Sequence, residues 1–186
     1  AQDADLIVFS DTSRDSLVRS RITPDVRTEV EGVDGVARTG GLGVVQLGAR
    51  VPGNDERDLA DVALFGYEIA PDGVPDPPAA GEAYADDVLE AQGVEEGDEL
   101  LVGPARTPVE VLGFVSDTTY SGQGSLWASP ETWAEVQAAN RPDAQLGEGT
   151  FQALVVQVHT RSASPTTSEP ASMCGLVAAW MGVGDS

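Results

Sequence analysis

Short apolar runs separated by glycine, proline and acidic residues dominate the pattern of this chain. Residues 32–51 and 62–69 are rich in valine, leucine and glycine, and the acidic loop PGNDERD between them predicts a hairpin. Residues 107–115 alternate apolar and polar positions, whereas 151–158 are almost continuously apolar, which is typical of a strand buried on both faces. Three shorter runs predict further strands at 5–10, 100–103 and 125–128.

Two segments carry helix start signals. The Thr-Pro pair at 23–24 predicts a capped helix N-terminus, and Gly32 predicts the end of that helix. The Ser-Pro pair at 129–130 predicts a second helix, on which Trp133 and Val136 face inward. The four prolines of 70–82 predict a linker or crossover, so the pattern as a whole predicts a strand-rich mixed fold.

Residues 86–103 combine a helix signal, a dense acidic turn and a strand. Asp86 or Asp87 begins a short predicted helix, because a carboxylate there caps the helix and complements its dipole. Gly93 takes the left-handed position that ends this helix. The acids at 95–99 then fall on the turn before the strand, and their spacing does not match a calcium-binding loop. We therefore predict a solvated structural turn and no metal site.

The charge of the chain excludes one class of function. Thirty-one acidic residues stand against ten basic ones, all of them arginine, and the net charge is −21. A surface of this kind repels polyanions, so we expect no nucleic-acid binding and no attachment to an anionic membrane surface. The lysine-free, alanine-rich and valine-rich composition indicates a GC-rich genome or adaptation to salt.

Two further observations concern the ends and the location of the chain. A single cysteine, Cys174, allows no intrachain disulfide and so indicates no redox compartment. The longest apolar run, at 175–184, is shorter than the roughly 20 residues needed to span a bilayer. Because the chain lacks an initiator methionine and a signal-like start, we expect a fragment or a processed chain.

Candidate chemistry is sparse. His159 is the only histidine, so any catalytic triad must use it, yet no nucleophile motif accompanies it. The phrase GGLGVVQ at 40–46 begins like a dinucleotide fingerprint and fails at Gln46, and 118–125 lacks the Gly-Lys-Ser ending of a phosphate loop. We therefore predict no catalytic residue and no cofactor, with a hydrolase using His159 kept as the weaker alternative.

The aromatic residues are the remaining candidates for binding. Most of them, Trp133 above all, are predicted to pack in the core. We expect Tyr120 to be exposed, because it stands beside Gly122 and Gly124 on a predicted loop, and loops carry binding residues. Tyr120 and Trp127 are therefore the predicted contacts for a partner protein.

The order of these pieces resembles the extracytoplasmic domain of FtsX-like, MacB-type ABC transporter permeases. The phrases that carry the resemblance are VEGVDGVARTGGLG, VALFGYEIAPDGVP and the long stretch GEAYADDVLEAQGVEEGDELLVGPARTPVEVLGFVSDTTYSGQGSLWASPETWAEV. They fall within residues 5–158. The family has a helix, a strand ending in a Gly-Tyr phrase, a helix-turn-strand with a Gly-Asp turn, and a strand before a Thr-Trp helix in the same order.

This resemblance implies an α+β fold. A porter-like helix-on-sheet layer would comprise residues 1–69 and 129–158, and 70–81 would be the proline-rich crossover. Residues 82–128 would form an inserted β-rich subdomain. Residues 159–186 are Ser/Thr/Pro-rich and depart from the family, so we predict that they are a disordered linker or an out-of-frame tail.

The resemblance also implies a role. The chain would be the non-catalytic outer domain of a permease in the plasma membrane, with membrane helices before Ala1 and after the last residue. It would couple ATP-driven motion of those helices to substrate export or to regulation of a partner. Its partners would be a separate ATP-binding subunit and a second permease subunit. The alternative is a secreted binding or adhesion module without membrane helices.

Overall fold

A computed structural model describes residues 4–10, 20–55, 59–142, 146–147, 149–158 and 176–179. In chain order the elements are β1 (Ala4–Ser10), α1 (Pro24–Glu31), β2 (Val36–Arg50), β3 (Leu59–Tyr67), β4 (Glu82–Asp86), a 3-10 helix (Asp87–Gln92), β5 (Glu99–Val102), β6 (Thr107–Val115), β7 (Gly124–Ala128), α2 (Pro130–Asn140), β8 (Ala153–Val158) and β9 (Leu176–Ala179). Helices and a mixed sheet confirm the predicted α+β class. Contacts divide the chain into unit 1, Ala1–Gly41 with Gly147–Ser186, and unit 2, Leu42–Leu146.

Unit 1 is a helix on a small antiparallel sheet. β1 pairs with β8 on one side and with β9 on the other, both antiparallel. The core of the unit is the buried set Val8, Ile22, Val30, Leu154 and Val156. α1 contributes only Val30 to this set, because Val30 is its one fully buried residue and its other positions are half-buried or exposed.

Unit 2 is a closed ring of six strands. β2 pairs with β3, β3 with β7, β7 with β4, β4 with β6, β6 with β5, and β5 returns to β2. Two of these pairings, β3 with β7 and β4 with β6, are parallel. The closing pairing of β5 with β2 is short, with Ala49 opposite Val102 and Arg50 opposite Leu101.

The inward face of this barrel is filled by small and aliphatic side chains. Directly opposed residues share a face, so the strand register identifies one continuous buried set around the ring. The set includes Val45, Ala49, Ala60, Val62, Leu64, Ala83, Ala85, Leu100, Val102, Val109, Val111 and Leu126. The interior is therefore a packed core and not a channel.

Two large side chains lie over glycines on this inward face. The indole of Trp133 on α2 lies against the paired Gly43 and Gly66, where a Cβ atom on either glycine would overlap it. At the other end of β7, Leu89 of the 3-10 helix lies against Gly124 in the same way. Glycine is needed at these positions because any side chain would occupy the space of the indole or of the leucine.

Most predicted elements are confirmed, with their caps. Ser129 accepts a hydrogen bond from the Thr132 N–H at the start of α2, and Gly93 is left-handed with φ of 90°. Thr23 precedes α1 as predicted but makes no side-chain capping bond. The short helix after Asp86 is a 3-10 helix, with Asp86 as its cap.

Two strands of the structure were not predicted from the sequence. No strand was predicted at β4, whose EAYAD residues have little apolar bulk, nor at β9, which lies within the tail 159–186. The contact-defined boundaries lie at 41/42 and 146/147. The family-based division at 69/70, 81/82 and 128/129 stays a prediction beside them.

Candidate partner-binding surface

Four aromatic side chains form a row on the outward face of the barrel. Phe65 of β3 stacks on Trp127 of β7, with ring centroids 4.5 Å apart and planes 12° apart. Tyr120 meets Phe65 edge-on at 5.4 Å. Tyr84 of β4 is directly opposite Trp127 in the antiparallel register, so it shares that face. We call Tyr120, Phe65, Trp127 and Tyr84 the aromatic row.

The two ends of the row are open and its centre is covered. Phe65 is 4% exposed and Trp127 is 8% exposed, whereas Tyr84 and Tyr120 are each half-buried. The indole N–H of Trp127 is buried and meets no acceptor in the part of the chain that the structure describes. Ring stacking therefore holds Trp127 in place. The part of the aromatic row that a partner could reach consists of Tyr84 and Tyr120.

A fifth ring, Tyr67, fixes the proline-rich crossover against this face. Its ring packs edge-on against Trp127 at 5.5 Å, and its hydroxyl donates a 2.7 Å hydrogen bond to the carbonyl of Pro75. Burial raises the pKa of Tyr67 above its ordinary value, and the nearby Tyr84 and Asp76 raise it further. Tyr67 is fully buried, so it is a structural anchor for the crossover.

Tyr120 belongs to a tight hairpin. It exchanges two backbone hydrogen bonds with Gln123, of 2.9 and 3.0 Å, across the two residues Ser121 and Gly122. Both of those residues have positive φ, 52° and 79°, which is the geometry of a two-residue type I′ loop. Such a loop is compact and has a defined shape, so it presents Tyr120 in one orientation.

The buried carboxylate of Asp86 holds the start of this loop. One oxygen accepts from the Val88 N–H at 3.1 Å, and the other accepts from both the backbone N–H and the hydroxyl of Thr118, at 2.8 and 2.6 Å. The Thr118 hydroxyl also lies 2.7 Å from that of Ser125. Asp86 thus connects the end of β4, the 3-10 helix, the loop and β7 through one carboxylate.

A side-chain hydrogen bond from β2 also holds the hairpin, at Gln123. The amide of Gln46 on β2 donates to the side-chain oxygen of Gln123 at 3.0 Å. Three contacts therefore fix the loop. Asp86 binds Thr118, Gln46 binds Gln123, and Phe65 packs against Tyr120.

The predicted contact residues, Tyr120 and Trp127, thus lie in one cluster but differ in access. The expectation of an exposed Tyr120 was wrong, because the residue is half-buried and its ring packs edge-on against Phe65. Trp127 is buried by its neighbours in the row. Their role as partner contacts stays a prediction. Sequence reasoning listed Tyr84 among the aromatic residues that could bind but did not single it out, and the β4–β7 register places it beside Trp127.

The acidic turn has the conformation of a structural turn. Gly97 is left-handed, and Asp98 accepts a 2.9 Å hydrogen bond from the Glu95 N–H. Among the described residues no group of three or more His, Cys, Asp or Glu side chains is arranged to hold a metal ion. His159 lies outside the described residues.

The glycine-rich phrase at 40–46 is part of β2. At two of its positions glycine is required because a bulky side chain lies against the backbone. Gly41 lies under the ring of Phe151 within unit 1, and Gly43 lies under Trp133 within unit 2. Glycine at these two positions leaves room for the aromatic rings.

A cleft of about 440 Å³ lies elsewhere on unit 2. Its lining consists of Asn54, Leu59, Ala60, Ala91, Gln92 and Gly93, with the Asn54 amide donating to the Gln92 carbonyl. Two amides and small or apolar groups supply no acid–base pair for catalysis. Across the described ranges, no helix is long and apolar enough to cross a membrane.

Comparison with solved structures shows what this fold is similar to. The extracellular domain of the ABC-type transporter YknZ from Gram-positive bacteria is 15% identical, with a TM-score of 0.52 over 84% of each chain. The periplasmic region of MacB from Actinobacillus actinomycetemcomitans is 12% identical, with a TM-score of 0.57 over 87% of this chain and 77% of that one. A permease domain from Porphyromonas gingivalis is 14% identical, with a TM-score of 0.53 over 88% and 78%.

These likenesses confirm the fold that the resemblance predicted. At such low identity they show a shared fold, which is that of the outer domains of ABC transporter permeases. No protein-family model matches the chain, and no curated protein matches it.

Proposed function

We propose that this chain is the non-catalytic extracytoplasmic domain of an FtsX-like ABC transporter permease subunit. The observation that carries the proposal is the fold, which this chain shares over more than four fifths of its length with the extracellular domain of an ABC-type transporter, the periplasmic region of MacB and a permease domain. In this role the domain couples ATP-driven motion of the membrane helices to substrate export or to regulation of a partner. A barrel with a packed interior supports it, since such a body transmits movement without deforming.

The proposed partners follow from that role. The membrane helices of the permease would connect the domain to an ATP-binding subunit, and a second permease subunit would complete a homodimer. The domain would then lie on the extracytoplasmic side of the plasma membrane. The high negative charge is compatible with that location, because it disfavours adhesion of the domain to anionic lipid.

The first experiment is to read the gene that encodes this chain together with its neighbours. Apolar segments of about 20 residues on both sides of the domain, with an adjacent gene for an ATPase, are the expected result. A signal peptide upstream and a stop codon directly downstream would overturn the proposal and favour the secreted binding module. The same sequence shows whether residues 159–186 are in frame.

The coupling role is tested in the complete transporter. The permease is reconstituted with its ATP-binding subunit, either intact or with residues 5–158 replaced by a short flexible linker. We expect ATP hydrolysis to persist in the shortened complex and export to be lost. Unchanged export would show that the domain does not couple motion to transport.

The proposed absence of catalysis has its own test. The purified chain and its His159→Ala variant are assayed on a panel of esters. We expect the same background rate for both proteins. Turnover by the parent chain that the substitution abolishes would instead establish the hydrolase alternative.

A further inference from the structure

The two ends of the aromatic row are tyrosines with unused hydrogen-bonding groups. Within the described residues, neither the Tyr84 hydroxyl nor the Tyr120 hydroxyl makes a hydrogen bond, whereas the Tyr67 hydroxyl donates to Pro75. Both free-hydroxyl rings are half-buried, so each presents part of its ring and its polar tip to solvent. Tyrosine in this state is the residue that protein interfaces favour, because it offers apolar area and a hydrogen bond together.

The row is also fixed before any partner arrives. Tyr120 is held in a type I′ hairpin and against Phe65, and Tyr84 lies in a strand paired on both sides. The stacked Phe65–Trp127 pair lies between them. Ordering of side chains is one of the main costs of binding, and here that ordering has been completed on folding.

The charge around the row indicates the chemistry of the partner. The strands and loops that build this face, residues 59–86 and 116–128, contain seven acidic residues and no basic one. Six of them reach solvent and one, Asp86, is buried; the six are Asp61, Glu68, Asp72, Asp76, Glu82 and Asp117. Asp76 of the proline-rich crossover is exposed, and so is Asp117, three residues before Tyr120. A cation that stacks on an aromatic ring suits both the tyrosine rings and the acidic residues of this surface.

We propose that the aromatic row docks an arginine-bearing segment of another protein. A planar guanidinium stacks on the ring of Tyr84 or Tyr120 while its N–H groups reach a neighbouring carboxylate, a combination that the compact ammonium of lysine reproduces less well. The inference goes beyond the transport role and does not depend on it. A binding assay on the chain alone can therefore fail while the transport experiments succeed, or the reverse.

The test uses the 186-residue chain and a synthetic peptide of alternating arginine and glycine. Tyrosine rings carry a selective isotope label, and the chain has only three tyrosines. On addition of the peptide we expect the NMR signals of Tyr84 and Tyr120 to shift while that of Tyr67 stays in place. Unmoved Tyr84 and Tyr120 signals at saturating peptide would overturn the proposal without any substitution.

Affinity measurements separate the row from the general negative charge. By calorimetry, we expect the Tyr84→Ala/Tyr120→Ala variant to bind the arginine peptide about tenfold more weakly than the parent chain. The matched control, Leu59→Ala/Val88→Ala, removes two exposed apolar side chains outside the row and should leave affinity unchanged. Replacing arginine with lysine in the peptide should weaken binding severalfold.

Charge-only binding gives a different pattern. The Glu95→Gln/Glu96→Gln variant loses two charges from the acidic turn and keeps both tyrosines, so we expect it to bind nearly as tightly as the parent chain. If it weakens binding as much as the tyrosine variant does, or if the tyrosine variant binds like the parent, attraction by net charge is the whole effect and the proposal is wrong.

Discussion

The two units of this chain are stabilised in different ways. Unit 2 closes six strands into a ring, fills its inward face with aliphatic side chains and places Trp133 and Leu89 over glycines. Unit 1 has a buried set of five residues beneath one short helix, and polar contacts secure the rim of that set. Ser20 accepts from the Ser10 N–H there, and Glu31 accepts from Arg27 and Thr39.

The difference shows where each unit is sensitive. Loss of a buried contact in unit 2 leaves a cavity or an unpaired polar group in a closed structure, which cannot easily collapse around it. Among these contacts the Arg27–Glu31 pair is exposed, so solvent and salt weaken it and it is worth little by itself, whereas Ser20 and Thr39 are buried. Substitutions should therefore cost most in the barrel, whereas changes of solution conditions should act first on unit 1.

The largest effect is expected at Trp133. The Trp133→Ala variant leaves a cavity next to Gly43 and Gly66. We expect its free energy of unfolding, measured in urea, to fall by about 3–5 kcal/mol. Glu135→Ala on the exposed side of the same helix is the control and should change stability by less than about 0.5 kcal/mol. Equal stability of the two variants would mean that packing of the indole against Gly43 and Gly66 does not stabilise the barrel.

The reciprocal change is made on the glycine side. Gly66→Ala introduces a Cβ atom into the space of the indole, and overpacking of this kind costs about 1–3 kcal/mol. Combined with Trp133→Ala, the same substitution should cost much less, because the clash is gone. An additive result in this double-mutant cycle would show that the two sites do not touch.

Asp86 is the next test of the barrel. Asp86→Ala leaves the N–H of Val88 and both donors of Thr118 without their acceptor, and we expect a loss of about 2–3 kcal/mol. Amide hydrogen exchange should also accelerate in the hairpin at 116–123. The exposed neighbour, Asp87→Ala, changes the charge equally and should leave both measurements nearly unchanged.

A smaller effect is expected where α2 ends. The Asn140 side chain accepts from the Ala105 N–H at 2.8 Å and donates to the Val136 carbonyl at 2.9 Å, so it links the helix to the β5–β6 turn. Asn140→Ala should cost about 1–2 kcal/mol in the same urea assay. A cost equal to that of Glu135→Ala would show that this link contributes nothing.

The smallest effect concerns Glu31 in unit 1 and depends on pH. Hydrogen bonds from Thr39 and then from Arg27 lower the pKa of this exposed carboxyl below its ordinary value of 4.5. A lowered pKa in the folded state means that the contribution of Glu31 is present above pH 4.5 and is lost as the pH falls through the folded value.

The measurement compares Glu31→Gln with the parent chain across this range. At neutral pH the variant should unfold at a lower urea concentration, and the gap should close as the pH falls below 4.5. Glu29→Gln on the same helix removes an equal charge without the Thr39 and Arg27 contacts. A gap for Glu31→Gln that does not change with pH would contradict the assignment.

The local predictions succeeded where neighbouring residues carry the signal. The Ser-Pro start of α2, the left-handed Gly93 and the alternation of β6 each depend on a few adjacent side chains and their backbone preferences. Strand β4 was missed because its inward residues, Ala83 and Ala85, are too small to mark a buried face in a hydrophobic pattern. Their size is a requirement of the barrel interior, which is not visible along the chain.

The candidate site was predicted only in part. Tyr120 and Trp127 were identified as aromatic residues near a glycine-rich loop, and the structure places both in the aromatic row. The position of Tyr84 beside Trp127 and the support from Asp86 could not be predicted, because a parallel pairing and an antiparallel pairing between distant segments bring them there. The exposure of Tyr120 was misjudged because the residue that covers its ring, Phe65, is 55 residues away in the sequence.

By itself the sequence determined the α+β class, most strands, the two α-helices and a net charge of −21. These properties depend on composition or on contacts between near neighbours. Only the tertiary structure decided that β2 meets both β3 and β5, that glycines at 43, 66 and 124 make room for large side chains, and that four aromatics form one row. Each of these depends on pairing between segments far apart in the chain, where register and closure, and not local preference, set which side chains meet.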